Sequence, residues 1–357
     1  MELIPIPNPD LSTSERLIRE QLQLERSKLL VKTQNQKVQA LDKSNAFGQM
    51  GQLYHIYEFW QAAETCYRNA LSLIPREFRW TYLLGHLSEG QGKLQEAVDR
   101  YQRALTIKPN NLPTLLRLAE IQLTLNRLDL AEQLFQKAIS IESDLASAVA
   151  LTGLGKISIA MDNPKQAIQY FKKALEIQPQ ANSLHYQLAM SYRHLEKLEI
   201  ARQHLQKHGL VQPSFHDPIM ENLRELKTGK QFFWSQGSIA LSEGKYTKAV
   251  ESFRKMLKAD PNEPLAHMDL GTSLLQLGDV SGALNEYQRA LDLSSGNPRL
   301  HYNLGLVYTL QNSYSKALEH YRRAINLDPE LEEAHFNAAN LLMRMKNQRE
   351  AKQHYAK

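Results

Sequence analysis

The sequence predicts an all-α solenoid, in which helix pairs stack along one axis with no sheet and no single central core. Three observations predict it. A pattern of small and aromatic residues returns every 34 residues over nearly the whole chain. Each period carries two apolar stripes at three- and four-residue steps, the spacing of one helix face. A turn residue, most often proline, closes each period where a helix has to stop.

The clearest period is 298–331. Leu304, Gly305 and Tyr308 mark the buried stripe of its first helix, Ala317, Tyr321 and Ala324 that of its second, and Pro329 ends it. The glycine or alanine position recurs at Gly51, Gly85, Ala119, Gly155, Ala189, Gly237 and Gly271. The later alanine recurs at Ala63, Ala97, Ala131, Ala167, Ala201, Ala249 and Ala283. The proline stands at Pro75, Pro109, Pro179, Pro213 and Pro261, with Ser143 and Ser295 replacing it in two periods. This order of W-x2-L-G-x2-Y, then A-x3-F, then A and P resembles the tetratricopeptide repeat family. Phe47, Thr81, Leu115, Leu151, His185, Phe233, His267 and His301 stand at the family's tryptophan position. The resemblance implies a right-handed superhelix of helix-turn-helix repeats that binds a peptide segment or partner protein in its concave groove, without catalysis.

Residues 1–43 form an N-terminal extension. Pro5, Pro7 and Pro9 keep its start extended, and Ser12 with Glu15 reads as a capping box opening a helix. Leu17, Leu24, Val31 and Val38 recur at seven-residue steps beside Ile18, Leu22 and Leu29, a seam that folds back over the first repeat or, alternatively, pairs in a coiled-coil dimer. Five units starting at 44, 78, 112, 148 and 182 fill 44–215. In the inserted stretch 216–229, Pro218 starts a short helix with Ile219, Leu223 and Leu226 on one face, expected to pack at a joint between two arrays. Units at 230, 264 and 298 fill 230–331. An incomplete ninth, 332–357, reaches Ala351 and Tyr355 and reads as the end of a fragment of a longer protein.

The formal charge is +5, from 43 basic and 38 acidic residues dispersed among one another, so nucleic acid is not an expected partner. No apolar run approaches a membrane span. The single cysteine, Cys66, rules out an intramolecular disulfide framework or a cysteine-based zinc site and fits a reducing compartment. The start MELIPIPNPD lacks signal-peptide features, so the chain reads as cytoplasmic; a periplasmic or secreted location is the alternative if a signal peptide was trimmed before Met1.

No phosphate loop, H-E-x-x-H or G-x-S-x-G motif occurs, and Ser158 spoils the glycine fingerprint begun by Gly153 and Gly155. No catalytic, cofactor-binding or metal-binding residue is therefore assigned. His204, His208 and His216 read as surface residues rather than zinc ligands, and His185, His267, His301 and His335 as packing residues bonded to a neighbouring turn.

On the first helix of each unit, positions 2, 5, 6, 9, 12 and 13 share the side that lines the groove. In the first array this side carries Arg79, His86, Arg117, Lys156 and Arg193, a mildly basic surface suited to acidic segments. In the second it carries Trp234, Asp269, Tyr302, Asn303, Asn337 and Asn340, more apolar and rich in carboxamides. The aromatic series Tyr82, Tyr186, Trp234, Tyr302 and Phe336 at position 5 reads as wall packing. Family members that clamp a terminal carboxylate need Lys at position 5 and Asn at 9. The pairs here, Gly48 with Gln52 and Tyr82 with His86 among them, lack that clamp. Asn303 and Asn337 at position 6 resemble the asparagine ladder of O-linked N-acetylglucosamine transferases, so the alternative function is the substrate-recruiting arm of a larger enzyme. Homo-oligomerisation through the N-terminal seam or the unfinished end is a third.

Overall fold

A computed structural model describes residues 3–141, 145–347, 349 and 351; Ser143 and Tyr355 lie outside them. Among the described residues there are nineteen helices and no strand. They form two compact units, the first comprising the residues up to Thr13 with Glu20–Lys227, the second Ser14–Arg19 with the residues from Thr228 on.

After α1 (Arg16–Gln34), the first unit pairs α2 (Ala40–Ile56) with α3 (Trp60–Leu73) and α4 (Phe78–Gly90) with α5 (Leu94–Ile107). It continues with α6 (Leu112–Thr124) and α7 (Leu128–Ile141), α8 (Leu145–Ala160) and α9 (Pro164–Ile177), α10 (Leu184–His194) and α11 (Leu198–Gln206), then the short α12 (Pro218–Glu225). The second unit pairs α13 (Lys230–Ser242) with α14 (Tyr246–Ala259), α15 (Pro264–Gln276) with α16 (Val280–Leu293) and α17 (Pro298–Leu310) with α18 (Tyr314–Leu327), followed by α19 (Glu332–Arg344).

The repeat's small residues are where paired helices cross. A Cβ on Gly305 would stand 2.4 Å from the Tyr321 ring, and one on Gly271 2.7 Å from Tyr287, so α17 and α15 reach their partners only without a side chain there. Ala249, Ala283 and Ala317 are fully buried on the opposing helices. Between the two helices the chain reverses through one left-handed residue: Glu58, Gly92, Asn126, Asp162, Glu196, Gly244, Gly278, Asn312 and Lys346 all have φ between 57° and 84°. At the end of α10, Lys197 N–H bonds back to the Tyr192 carbonyl at 3.0 Å across this residue, the bond that closes a helix of this kind. A side chain in the left-handed region costs about 1–2 kcal/mol, partly offset by glycine's larger unfolded-state entropy. Glu196→Gly is therefore expected to stabilise the first unit by about 0.5–1 kcal/mol, read as a higher thermal midpoint.

The turn at Ser295 keeps its form without proline, because what the following helix uses is a main-chain carbonyl. His301 Nε2 donates to Ser295 O at 3.1 Å, as His267 does to Pro261 O at 2.9 Å and His335 to Pro329 O at 3.1 Å. His185 departs from this packing role and meets His204, Nδ1 to Nδ1, at 2.9 Å.

The N-terminal extension differs from expectation in two details. Its buried stripe is Leu22 and Leu29, whereas Leu24 and Val31 are 55% and 69% exposed and Val38 falls in the break before α2. A helix laid on a neighbour covers one stripe about 100° wide. Here Gln21, accepting from the Tyr57 hydroxyl at 2.7 Å, fixes which one. The capping box does not form either. Ser12 N–H is bonded to Asp10 at 2.9 Å, and the Glu15 carboxylate accepts from Lys230 N–H at 2.7 Å, at the start of α13. The extended lead-in is tied to α3 by a reciprocal pair between Ile4 and the Asn69 carboxamide, both at 2.8 Å.

Candidate functional site: the inner face of the repeats

In the first unit the inner face is already covered by the chain's own insert. Past α11 the chain turns back: Ser183 N–H donates to Val211 O at 3.0 Å, and Val211 N–H to Asn182 Oδ1 at 3.0 Å. Next, the buried Gln178 carboxamide holds Ser214 by both main-chain groups, donating to its carbonyl at 2.6 Å and accepting from its N–H at 3.0 Å. Phe215 packs on the apolar core between α6, α7 and α8, and the Arg117 guanidinium lies 6.0 Å from its ring.

Asp217 is the centre of the arrangement and is only 6% exposed. Its Oδ1 accepts from Met220 N–H at 3.2 Å, capping α12, while Oδ2 accepts from the Tyr82 hydroxyl and from Arg117 Nη2 at 3.2 Å. The Arg117 side chain, 16% exposed, also pairs with Glu89 at 3.5 Å, which accepts from the Tyr101 hydroxyl at 2.6 Å. Burial raises the Tyr82 phenol, so it stays a donor. α12 then buries Met220 and Leu223 and packs against α2, and Leu226 O accepts from Gln21 Nε2 at 2.9 Å. The insert thus visits the units at 182, 148, 112, 78 and 44 in that order, the reverse of their order in the chain.

The short helix expected in 216–229 is α12; it lies in the first unit against α2, and its buried pair is Met220 and Leu223 in place of the expected face of Ile219, Leu223 and Leu226, with Ile219 half-buried. The Asp217 cap sets where the helix begins and so which residues face inward.

Of the basic residues expected in this groove, the structure gathers Arg117 and His86. His86 Nδ1 meets His55 Nε2 at 3.1 Å, and burial, reinforced by Arg117, His55 and Arg224, holds His86 down to about 3. Burial holds His55 down to about 4. Both rings are neutral at neutral pH, which lets one donate to the other. Arg79 is drawn aside, bonded to Glu77 at 3.2 Å and Asn45 at 3.0 Å and lying 4.6 Å over Trp80. Lys156 and Arg193 are exposed, and the insert makes none of its polar bonds to them. Sequence reasoning placed Glu89 on this side but missed Asp217 and Gln178 and took Tyr82 for packing alone. Asp217 before Pro218 is a readable helix cap, but nothing local to it points to an arginine 100 positions upstream.

In the second unit the inner positions are linked from repeat to repeat. The Trp234 side chain bonds to Asp269, and Asn337 Nδ2 donates to the Tyr302 hydroxyl at 3.1 Å. Asn303 Nδ2 reaches Thr272 Oγ1 at 3.5 Å, and the Tyr287 hydroxyl donates to the same oxygen at 3.1 Å. Asn340 is half-buried, whereas Phe336 and Leu265 are exposed. Burial pushes the Asp269 carboxyl up from 3.8 to about 6, with the Trp234 bond opposing. An acid whose folded value is raised binds its proton more tightly when folded. The stability this confers is full below about pH 4 and is lost as pH rises through about 6. Asp269→Asn should then stabilise the second unit by about 1–2 kcal/mol at pH 8, after discounting for partial exposure, and by nothing near pH 4, measured by melts at both.

His204, His208 and His216 go to separate partners. His204 joins His185 and stacks 5.4 Å from Tyr192, His208 lies 5.6 Å from Tyr186, and His216 bonds Glu221 at 2.9 Å. Among the described residues, no three His, Cys, Asp or Glu side chains converge as a metal site would require, and no helix is long and apolar enough to cross a membrane. Burial of Cys66 raises its thiol, which keeps it protonated.

Family models described as tetratricopeptide repeat match residues 58–111 and 268–332, 89–153, and 148–180 with 231–263. The chain is similar to tetratricopeptide repeat protein 7B of Homo sapiens, 32% identical over 116 residues, which is 32% of this chain and 14% of that protein. It is also similar to the human tetratricopeptide repeat protein 7A, 28% identical over 130 residues, 36% of this chain and 15% of that protein. The matched stretch therefore spans about a seventh of these relatives. Among solved structures, a tetratricopeptide repeat protein from Parabacteroides merdae aligns at 16% identity over 84% of this chain and 98% of its own, with a TM-score of 0.39. The first repeat domain of Spaghetti (RPAP3) bound to the HSP90 peptide SRMEEVD aligns at 19% identity over 33% of this chain and 93% of its own, with a TM-score of 0.32.

Proposed function

Since the chain belongs to the tetratricopeptide repeat family, we propose that it is a non-catalytic scaffold whose second unit takes an extended segment of a partner protein along its inner face. The observation that supports this most is the first unit, where positions 5, 6 and 12 of the repeats, at Tyr82, Arg117 and Glu89, already serve an extended polypeptide. The corresponding side of the second unit offers Leu265, Phe336 and Trp234 as apolar anchors, carboxamides at Asn303, Asn337 and Asn340, and charges of both signs at Asp269, Glu333, Arg299 and Arg344. That chemistry suits a segment with spaced apolar side chains and main-chain groups free to bond, with little net charge.

The test is selection of peptides from a displayed random library on the full chain. Selected peptides should bind at least tenfold more weakly to Phe336→Ala and Asn337→Ala and equally well to Lys156→Glu. Peptides that ignore both second-unit changes, or no enrichment at all, would overturn the proposal.

A further inference from the structure

We infer that the inner face of the first unit is a second peptide site, one that reads an aromatic residue two places before an aspartate, and that residues 209–227 occupy it as a built-in competitor. The inference rests on the reading of the inner face as a peptide site.

Three observations carry it. The first is that recognition of the insert is ligand-like. Gln178 holds both main-chain groups of Ser214, as it would for any residue there, whereas selectivity falls on Phe215, seated on apolar side chains, and on Asp217, read by a guanidinium and a phenol. The second is that the reading group is set in place by its own repeats. Tyr82, Glu89 and Tyr101 orient Arg117 from α4 and α5, and Arg117 Nε lies 2.7 Å from the Tyr82 oxygen. The site therefore keeps its form when Asp217 leaves, and another carboxylate can enter the same fork.

The third observation is that the insert is lightly held. α12 has eight residues and buries two side chains, while Leu210 and Val211 before it are exposed. A segment with so few buried contacts opens at small cost compared with the repeat helices. The ion pair at its centre is replaced, not lost, when a second carboxylate takes its place, so its desolvation need not be repeated. While the insert is seated, the apparent affinity for an outside segment falls in proportion to the open fraction.

The experiment uses a fluorescein-labelled peptide with the sequence of 209–227, followed by anisotropy against the full chain and against the Phe215→Ala, Asp217→Asn double variant. The variant is expected to bind the peptide at least tenfold more tightly than the intact chain. Adding Arg117→Ala to it, or placing Asn for Asp217 in the peptide, should remove that gain. Equal affinity for intact chain and variant, or no binding by a variant with an unchanged circular dichroism spectrum, overturns the inference. Should the double variant fail to fold, Asp217→Asn alone, which keeps an acceptor for Tyr82, serves with the same readings at a smaller gain. Neither outcome touches Phe336 or Asn337, so failure here is distinguishable from failure of the second-unit reading.

Discussion

Ala317→Arg should abolish the cooperative melt of the second unit and leave that of the first. Ala317 is fully buried in a cluster with Tyr321, Ala338, Leu341, Leu342 and Ala351, where α18 meets α17 and α19. An arginine there overpacks the contact, at about 1–3 kcal/mol, and buries a charge without a partner, at several more. The sum is comparable with the whole stability of an ordinary domain. In a stack of repeats the damage stays with the neighbours, so the unit built from α2 to α12 should keep its transition. Circular dichroism melts decide the point: a variant melting within a degree or two of the parent means the repeat register is wrong.

Arg117→Ala should cost the first unit about 1–3 kcal/mol, because it leaves Glu89 without its cation and unseats the insert, which carries Asp217 out to water. Arg117→Lys should recover little. The guanidinium serves Asp217 from Nη2, Glu89 from Nη1 and Tyr82 from Nε, three directions that a single ammonium cannot serve together. Adding Asp217→Asn to Arg117→Ala removes the charge that would be buried unpaired and should restore part of the loss. Denaturant titrations of the parent, Arg117→Ala, Asp217→Asn and the double variant give the coupling directly, and purely additive effects would mean that the two side chains do not act on each other.

The repeat architecture was legible because its signals are local and periodic. Gly305 and Ala317 sit where helices cross, and the turn carbonyls that take His267 and His335 follow from position in the repeat. The left-handed turn residue was hidden, since glycine fills it only at Gly92, Gly244 and Gly278, and the other repeats bear the strain with Asn, Asp, Glu or Lys. In the N-terminal seam, Leu24 and Leu22 both lie on heptad steps, and only the fold shows which stripe is buried. The filled groove was beyond reach for a different reason. Position along the helix puts Arg117 on the expected inner side, but whether it faces solvent, a partner or its own chain depends on a contact spanning 100 residues. Lys156 and Arg193, equally plausible by position, are exposed.

Hydrogen exchange followed by mass spectrometry on the intact chain tests most directly whether the first groove is held by the insert. The amides of 215–226 should exchange far more slowly than those of a free peptide of the same sequence and should lose that protection in Arg117→Ala while α6 and α8 keep theirs. Exchange of 215–226 in the intact chain at the rate of the free peptide would contradict the account.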